Sequence, residues 1–319
     1  MTSRAPSLWL KAVLGGAISL GFLYWVNQRL DWQPLLAAWR SFPPWLLAAC
    51  LLLVFSGYLL RARRFHLLSS RQTGGRFHHY LAINIWHTAA INWLPMRLGE
   101  ALYPWLMHHF FRHSPLEAGG TLLWLRLLDL FALLWLAGLG WAWLQAPAWL
   151  PVLALSLLLL PLGWWLQQGL RGCLATRDSA QSRWTGWLEK VLDGFPRQNR
   201  DYWHLAGLTW AAWAVKLMAF VLAASHFSSL SVGQLLPGIL LAELASSLPI
   251  QGLAGFGTYE AAMVLGLSWG GNSVPAGPVM NTLLAAAINL HLFILASSLL
   301  FALLALPFAS AMKQQRHQP

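Results

Sequence analysis

Acidic residues are scarce in this chain, with 10 Asp and Glu among 319 residues and only 10% charged residues in all. A soluble globular domain carries about 25% charge, so a water-facing surface of ordinary extent is excluded. Cysteine is almost absent: Cys50 lies inside one apolar run and Cys173 just after another. Two cysteines so placed make neither a disulfide framework nor a thiolate metal site. No nucleotide-binding loop, nucleophile elbow or zinc signature occurs. His87, His108, His109, His113, His226 and His291 show no recurrent metal-ligand motif. The expectation is therefore no metal, no cofactor and no catalytic residue. The one sizeable polar segment, residues 169–203, has 35 residues, too few for a soluble catalytic domain, so an enzyme is not expected.

Apolar sequence takes the place of all this. The chain is 57% hydrophobic, and runs of 18 or more apolar residues recur, each long enough to cross a hydrocarbon core of about 30 Å. The predicted fold is all-α, a polytopic membrane helical bundle forming a single integral membrane domain over 1–319. The net charge of +11 would suggest nucleic acid in a soluble protein. Here the basic residues sit mainly between apolar runs, as topology signals and contacts for anionic lipid, so no nucleic-acid partner is expected. Twenty-one tryptophans suit membrane-interface belts.

Six full spans are predicted, at 8–26, 44–60, 117–144, 148–168, 204–225 and 279–308. The first ends without a small-residue cleavage site, which favours an uncleaved span over a signal peptide. Residues 61–77 hold Arg61, Arg63, Arg64, Arg71 and Arg76 with no acid, a cytoplasmic loop by the positive-inside rule. Within 169–203, Trp184, Trp187, Leu188, Val191, Leu192 and Phe195 recur at helical spacing. That predicts an amphipathic helix at about 183–195, lying on the membrane surface.

Two segments, about 78–112 and 234–268, are apolar yet broken by proline, glycine and charge. Each half is about 12–17 residues, shorter than a full crossing of about 20. If both are re-entrant hairpins, 15 basic residues fall on the cytoplasmic side with both termini, and only Arg29 and Arg40 fall outside. Two short spans in each segment would give the same sides. The hairpins then open from opposite faces, and such paired interruptions point to inverted repeats around a midplane site.

Seven charges lie inside apolar segments: Arg97, Glu100, Arg126, Asp129, Lys216, Glu243 and Glu260, four of them in the two broken segments. A lone charge at the bilayer centre costs roughly 2.5–3.5 kcal/mol on insertion scales, so pairing is expected. Arg97 with Glu100, and Arg126 with Asp129, are spaced i, i+3 on one helical face. In the second break Gly252, Gly255 and Gly257 permit a tight turn, Thr258 is a candidate N-cap, and Glu260 falls in the first helical turn. Two readings follow. The pairs staple the bundle, or they line a polar cavity for a charged headgroup or for coupling protons.

The segments INWLPMRLGEAL, WLRLLDLFALL and LPIQGLAGFGTYEAAMVLGL resemble the transmembrane region of lysylphosphatidylglycerol synthases, which also occurs alone in flippase-like bacterial inner-membrane proteins. The resemblance covers roughly residues 10–308. Arg97, Gly99 and Glu100 match its early element, Arg126 and Asp129 its central pair, and Pro249, Gly255, Gly257 and Glu260 its late turn. Leu125 stands where the family commonly has an acid, and Tyr103–Pro104 where a basic residue is common. The soluble aminoacyl-transferase domain of the full-length synthases is not expected here, so the resemblance implies no lipid aminoacylation. It implies a flippase for a lipid with a polar, phosphate-bearing headgroup, such as a phospholipid or polyprenyl-linked lipid, in a bacterial inner membrane. Arg97, Glu100, Arg126, Asp129, Glu243, Gly255, Gly257, Thr258 and Glu260 are the candidate translocation residues. The alternative is a non-transporting scaffold or regulator docking envelope-biosynthesis enzymes.

Overall fold

The computed structural model describes residues 8–145, 147–175, 183–248, 251–267, 278–309 and 312. Arg4, Pro249, Lys313 and Arg316 lie outside the described residues. All regular structure among the described residues is helical. In chain order the α-helices are α1 (Leu8–Asn27), α2 (Trp32–Arg40), α3 (Pro44–Thr73), α4 (Phe77–Trp93), α5 (Leu102–Phe111), α6 (Pro115–Gln145), α7 (Leu150–Ser156) and α8 (Leu159–Ala175). They continue with α9 (Arg183–Asp193), α10 (Asn199–Phe227), α11 (Val232–Ala245), α12 (Thr258–Leu267) and α13 (Pro278–Leu304). Among the described residues, five stretches are long and apolar enough to cross a membrane, within α3, α6, α7–α8, α10 and α13. With its 20 residues, α1 is also about 30 Å long.

Helix α3 corrects the expected second span. It does not stop at residue 60 but continues to Thr73, where Gly74 takes the left-handed conformation (φ 64°) and donates its N–H to Ser70 O. The reason is a persistent apolar face: Phe65, Leu67 and Leu68 pack on core side chains beyond the arginines. Arg61 and Arg64 are thereby carried into the bundle instead of a loop. Removing them leaves 13 basic residues on the predicted cytoplasmic face, still far above the two opposite.

The first broken segment turns at Pro95. The residue before a proline is pushed out of the helical region, and Leu94 is extended (ψ 138°). A 3-10 turn, Pro95–Ala101, then reverses the chain into α5. Gly99 permits the reversal, since a Cβ there would lie 2.4 Å from the backbone of Ala90 and Ile91. Tyr80 near the start of α4 stacks on Phe111 at the end of α5, with centroids 5.7 Å apart. In the second segment α11 and α12 close on each other through Gly266, whose Cβ would fall 2.5 Å from Pro237 O. Each hairpin therefore enters and leaves on one face.

The two tips meet in the interior, against the middle of α1. A Cβ on Gly15 would stand 2.9 Å from Pro95 Cβ and 3.5 Å from Gln251 O, and Ser19 Oγ donates to Leu253 O at 3.2 Å. Tips placed half-way along a spanning helix make these segments re-entrant hairpins rather than pairs of short spans.

Span, hairpin, span occurs twice: α3, α4–α5, α6, and then α10, α11–α12, α13. Phe42, just before α3, touches His226 and Phe227 at the end of α10, so the two units run in opposite directions. Each hairpin packs on the closing span of the other unit. Trp86 of α4 donates to Ala302 O of α13 at 3.3 Å, and α11 brings Leu240 to within 3.9 Å of the Cβ position of Gly140 on α6. The arrangement is an inverted repeat, with α1 outside it.

The amphipathic helix appears as α9, but its apolar face is not laid on the membrane alone. Val191 and Leu192 are buried, Thr121 Oγ1 of α6 donates to Gly194 O at 3.0 Å, and Arg171 of α8 donates to Leu192 O at 2.7 Å. Glycine at 120 and 194 allows this backbone contact. Trp184 and Trp187 stay exposed.

Adjacent glycines of α1 test the tip contact. Gly15→Ala forces a methyl into Pro95 and is expected to destabilise the protein by about 1–3 kcal/mol. Gly16, whose Cβ position meets nothing within 4 Å, is expected to accept alanine with no loss, or a gain of up to about 1 kcal/mol from helix propensity. Thermal unfolding in detergent of the two variants checks this.

Candidate functional site

Arg97 sits on the first tip in a left-handed conformation (φ 55°), which few residues other than glycine adopt. That backbone lets its guanidinium reach both ways. Nη1 donates to Ser247 O on the second hairpin and Nη2 to Glu100 Oε1. Glu100 is shared further. Arg126 of α6 reaches it with Nη2 at 3.1 Å from Oε1, and His87 Nε2 of α4 lies 3.4 Å from Oε2. One carboxylate thus serves two guanidiniums.

Asp129 has a different partner from the one its spacing suggests. Arg126 Nη1 is 4.0 Å from Oδ2, whereas Arg64 binds Asp129 bidentately at 2.7 and 3.2 Å. Two parallel N–H···O bonds are the strong geometry for this pair, and Arg64 is 2% exposed. Both ions are further satisfied from α10: Arg64 Nη1 donates to Thr209 Oγ1 at 2.9 Å, and Trp213 Nε1 donates to Asp129 Oδ1 at 3.2 Å. Lys216 Nζ pairs with Glu243 Oε2 and lies over the rings of Trp213 and Phe220, at 5.0 and 5.1 Å.

These groups surround a cavity of about 430 Å³, within the range of small-ligand sites. A smaller chamber of about 100 Å³ adjoins it. Arg61, Asn92, Lys216, Glu243 and Ser246 line both. The larger cavity is lined by five cations, Arg61, Arg64, Arg97, Arg126 and Lys216, against three carboxylates, Glu100, Asp129 and Glu243. Two positive charges are therefore in excess. Arg61 supplies one: its contact is the face of Trp213, 5.7 Å from the centroid, and among the described residues no carboxylate lies within ion-pair distance, Asp129 and Glu243 acting on it only from further off. The other arises where Arg97 and Arg126 share Glu100.

The second tip is built differently from expectation. Ala254, Gly255 and Gly257 are all left-handed, at φ 52°, 81° and 88°. Thr258 does not cap α12, because its hydroxyl donates back to Gly255 O at 2.9 Å. Glu260 takes over part of that task, accepting the N–H of Gly257 at 2.8 Å, as the acid of a capping box does. Its other oxygen, Oε1, is 2.5 Å from His291 Nδ1 on α13. Glu260 is fully buried and lines neither chamber. Gly255, Thr258, Tyr259 and His291 line the smaller one, while Gly257 packs on Phe22 of α1. The breaks do converge, but Glu260 touches neither chamber, and its partner His291 lines only the smaller one.

A family model described as the lysylphosphatidylglycerol synthase TM region matches residues 12–298. The chain belongs to that family. No curated protein matches it. The matched range includes Arg97–Glu100 and Arg126–Asp129, and membership ties the chain to membrane lipid handling. The sequence-predicted residues Arg97, Glu100, Arg126, Asp129 and Glu243 are brought together around one cavity. Arg61, Arg64, Ser247 and His291 were not among them. The signal for the two arginines was the apolar stripe running on past them.

The buried pair yields a direct test. Asp129→Ala leaves the Arg64 guanidinium unpaired and is expected to cost about 3–5 kcal/mol. The double variant Arg64→Met with Asp129→Leu is expected to lose less than either single change, as measured by thermal or denaturant unfolding in detergent.

Proposed function

We propose that this protein is a lipid translocator of a bacterial inner membrane, not an enzyme. It moves an amphiphile with a phosphate-bearing headgroup, a phospholipid or polyprenyl-linked lipid, between leaflets. The observation that carries this reading is the surplus of two positive charges around a cavity enclosed by apolar spans. A cation held in such surroundings is costly unless an anion meets it, and a lipid phosphate is the anion most available there. Arg61 and the Arg97–Arg126 pair receive the headgroup. Glu100 orients those two guanidiniums, while Arg64–Asp129 and Lys216–Glu243 hold the walls.

The inverted repeat supports the same reading, because paired half-hairpins meeting at mid-helix are the architecture of alternating-access transporters. Glu260 and His291 brace the second tip, and His291 stands at the wall of the smaller chamber. The side predicted to carry 13 basic residues is taken as cytoplasmic on the positive-inside rule, and both termini go with it in this reading.

Reconstitution into vesicles containing a headgroup-labelled phosphatidylglycerol, read by reduction of the label in the outer leaflet, tests the proposal. Arg61→Ala and Arg97→Ala are each expected to slow exchange between leaflets by tenfold or more, the loss of charged hydrogen bonds worth about 1.5–3 kcal/mol. Glu260→Gln is expected to slow it too. Wild-type rates in all three variants would overturn the proposal.

A further inference from the structure

The seam between α3 and α13 carries two hollows, one with charged side chains in its wall and one without. On its inner side Val54, Gly57, Tyr58 and Arg61 of α3 face Ile294, Leu295 and Ser297 of α13 across the smaller chamber, whose wall also holds Lys216 and Glu243. On its outer side Leu51, Leu52 and Phe55 face Leu300, Phe301 and Leu304 across a groove of about 640 Å³. Ile85 and His78 of α4 complete the groove. Leu52 and Leu304 are 67% and 62% exposed, so the groove opens outward from two spanning helices, onto hydrocarbon.

Three rings stand between the hollows. Phe301 stacks on Phe55 with centroids 5.5 Å apart and meets Tyr58 edge-on at 5.5 Å. Next to them Gly57 leaves the seam thin: a Cβ there would meet nothing within 4 Å. The unpaired Arg61 lies one helical turn further along the same face of α3.

We infer that the groove is the site of one hydrocarbon chain of an anionic lipid whose phosphate lies at Arg61, and that the Phe55–Tyr58–Phe301 cluster is the lateral passage between bilayer and cavity. This deepens the translocator reading and rests on its placement of the headgroup. Adjacency along the seam decides the occupant. Arg61, with no carboxylate within ion-pair distance among the described residues, lies on one side, an apolar trough lies on the other, and the rings of Phe55, Tyr58 and Phe301 lie between. An amphiphile satisfies both at once, whereas a free anion leaves the trough empty and a purely apolar ligand leaves Arg61 unmet.

The full chain in nanodiscs of phosphatidylcholine, doped with phosphatidic acid bearing a mid-chain diazirine, provides the test. After photolysis the adducts are mapped by peptide mass spectrometry. They are expected to concentrate at 51–55 and 300–304, to be competed by unlabelled phosphatidic acid, and to fall about tenfold in Arg61→Gln, equivalent to about 1.4 kcal/mol of binding. Arg61→Lys is expected to restore much of the labelling. Leu304→Trp, which fills the groove without touching the cavity, is expected to abolish it while the protein remains monodisperse on gel filtration. Adducts spread evenly over the outward faces of α3, α6 and α8, or groove adducts indifferent to Arg61, overturn the inference. Arg61-dependent groove adducts in a protein that exchanges no lipid between leaflets would uphold the groove and defeat the translocator reading instead.

Discussion

A guanidinium and a carboxylate locked together inside an apolar bundle hold this structure to one arrangement. Arg64 and Asp129 sit on α3 and α6, and each is finished by a hydrogen bond from or to α10. Taking two ions out of water costs several kcal/mol each, and the bidentate geometry with its added hydrogen bonds recovers most of that, although the buried Arg64 Nε has no hydrogen-bond partner of its own among the described residues. Three helices drawn from both repeats must therefore keep their mutual depth and rotation. A helix that slid by one turn would leave a charge stranded. The pair adds little net stability over a hydrophobic replacement, but it specifies the register in which the neighbouring residues, Arg61 and Arg126, are held at the cavity wall.

Around that fixed point the two repeats diverge. Each hairpin tip contains a residue forced into the left-handed region, Arg97 in one and Ala254 in the other, and each ends in a glutamate paired with the closing span of its own unit. Glu100 meets Arg126 of α6 and Glu260 meets His291 of α13. The first combination is open and cationic; the second is buried, with only His291 at the wall of the smaller chamber. An inverted repeat has thus kept its backbone plan while placing charge surplus on one side. That asymmetry gives the cavity a sign.

The breaks and their convergence were legible from the sequence because they rest on local chemistry: proline expels its predecessor from the helix, and glycine permits close turns. The Arg97–Glu100 pair was also legible, since both partners lie on one short turn. The remaining pairs were not. Arg64 and Asp129 are 65 residues apart, and spacing along one helix favoured Arg126 as the partner. Arg61 and Arg64 were assigned to a loop because a cluster of arginines without acids looks the same whether it ends a helix in water or enters a bundle. Phe65, Leu67 and Leu68 distinguish the cases, and only packing shows that they do. Thr258 and Glu260 exchanged roles for a geometric reason: once Gly255 and Gly257 turn left-handed, the threonine hydroxyl points back at a carbonyl, and the carboxylate alone reaches the free N–H. The amphipathic pattern of α9 was correctly located, but periodicity cannot tell whether an apolar face meets lipid or, as here for Val191 and Leu192, the side of α6.

The contact between Arg97 and Ser247 spans 150 residues of chain, so neither hairpin tip is complete by itself. Arg97 draws one acceptor from its own turn and the other from the second hairpin, and α1 touches both tips through Gly15 and Ser19. The wall of the larger cavity likewise takes residues from Arg61 to Ser247. Neither half of the chain contains the cavity: it belongs to their union, and a cut anywhere between the two hairpins would divide it.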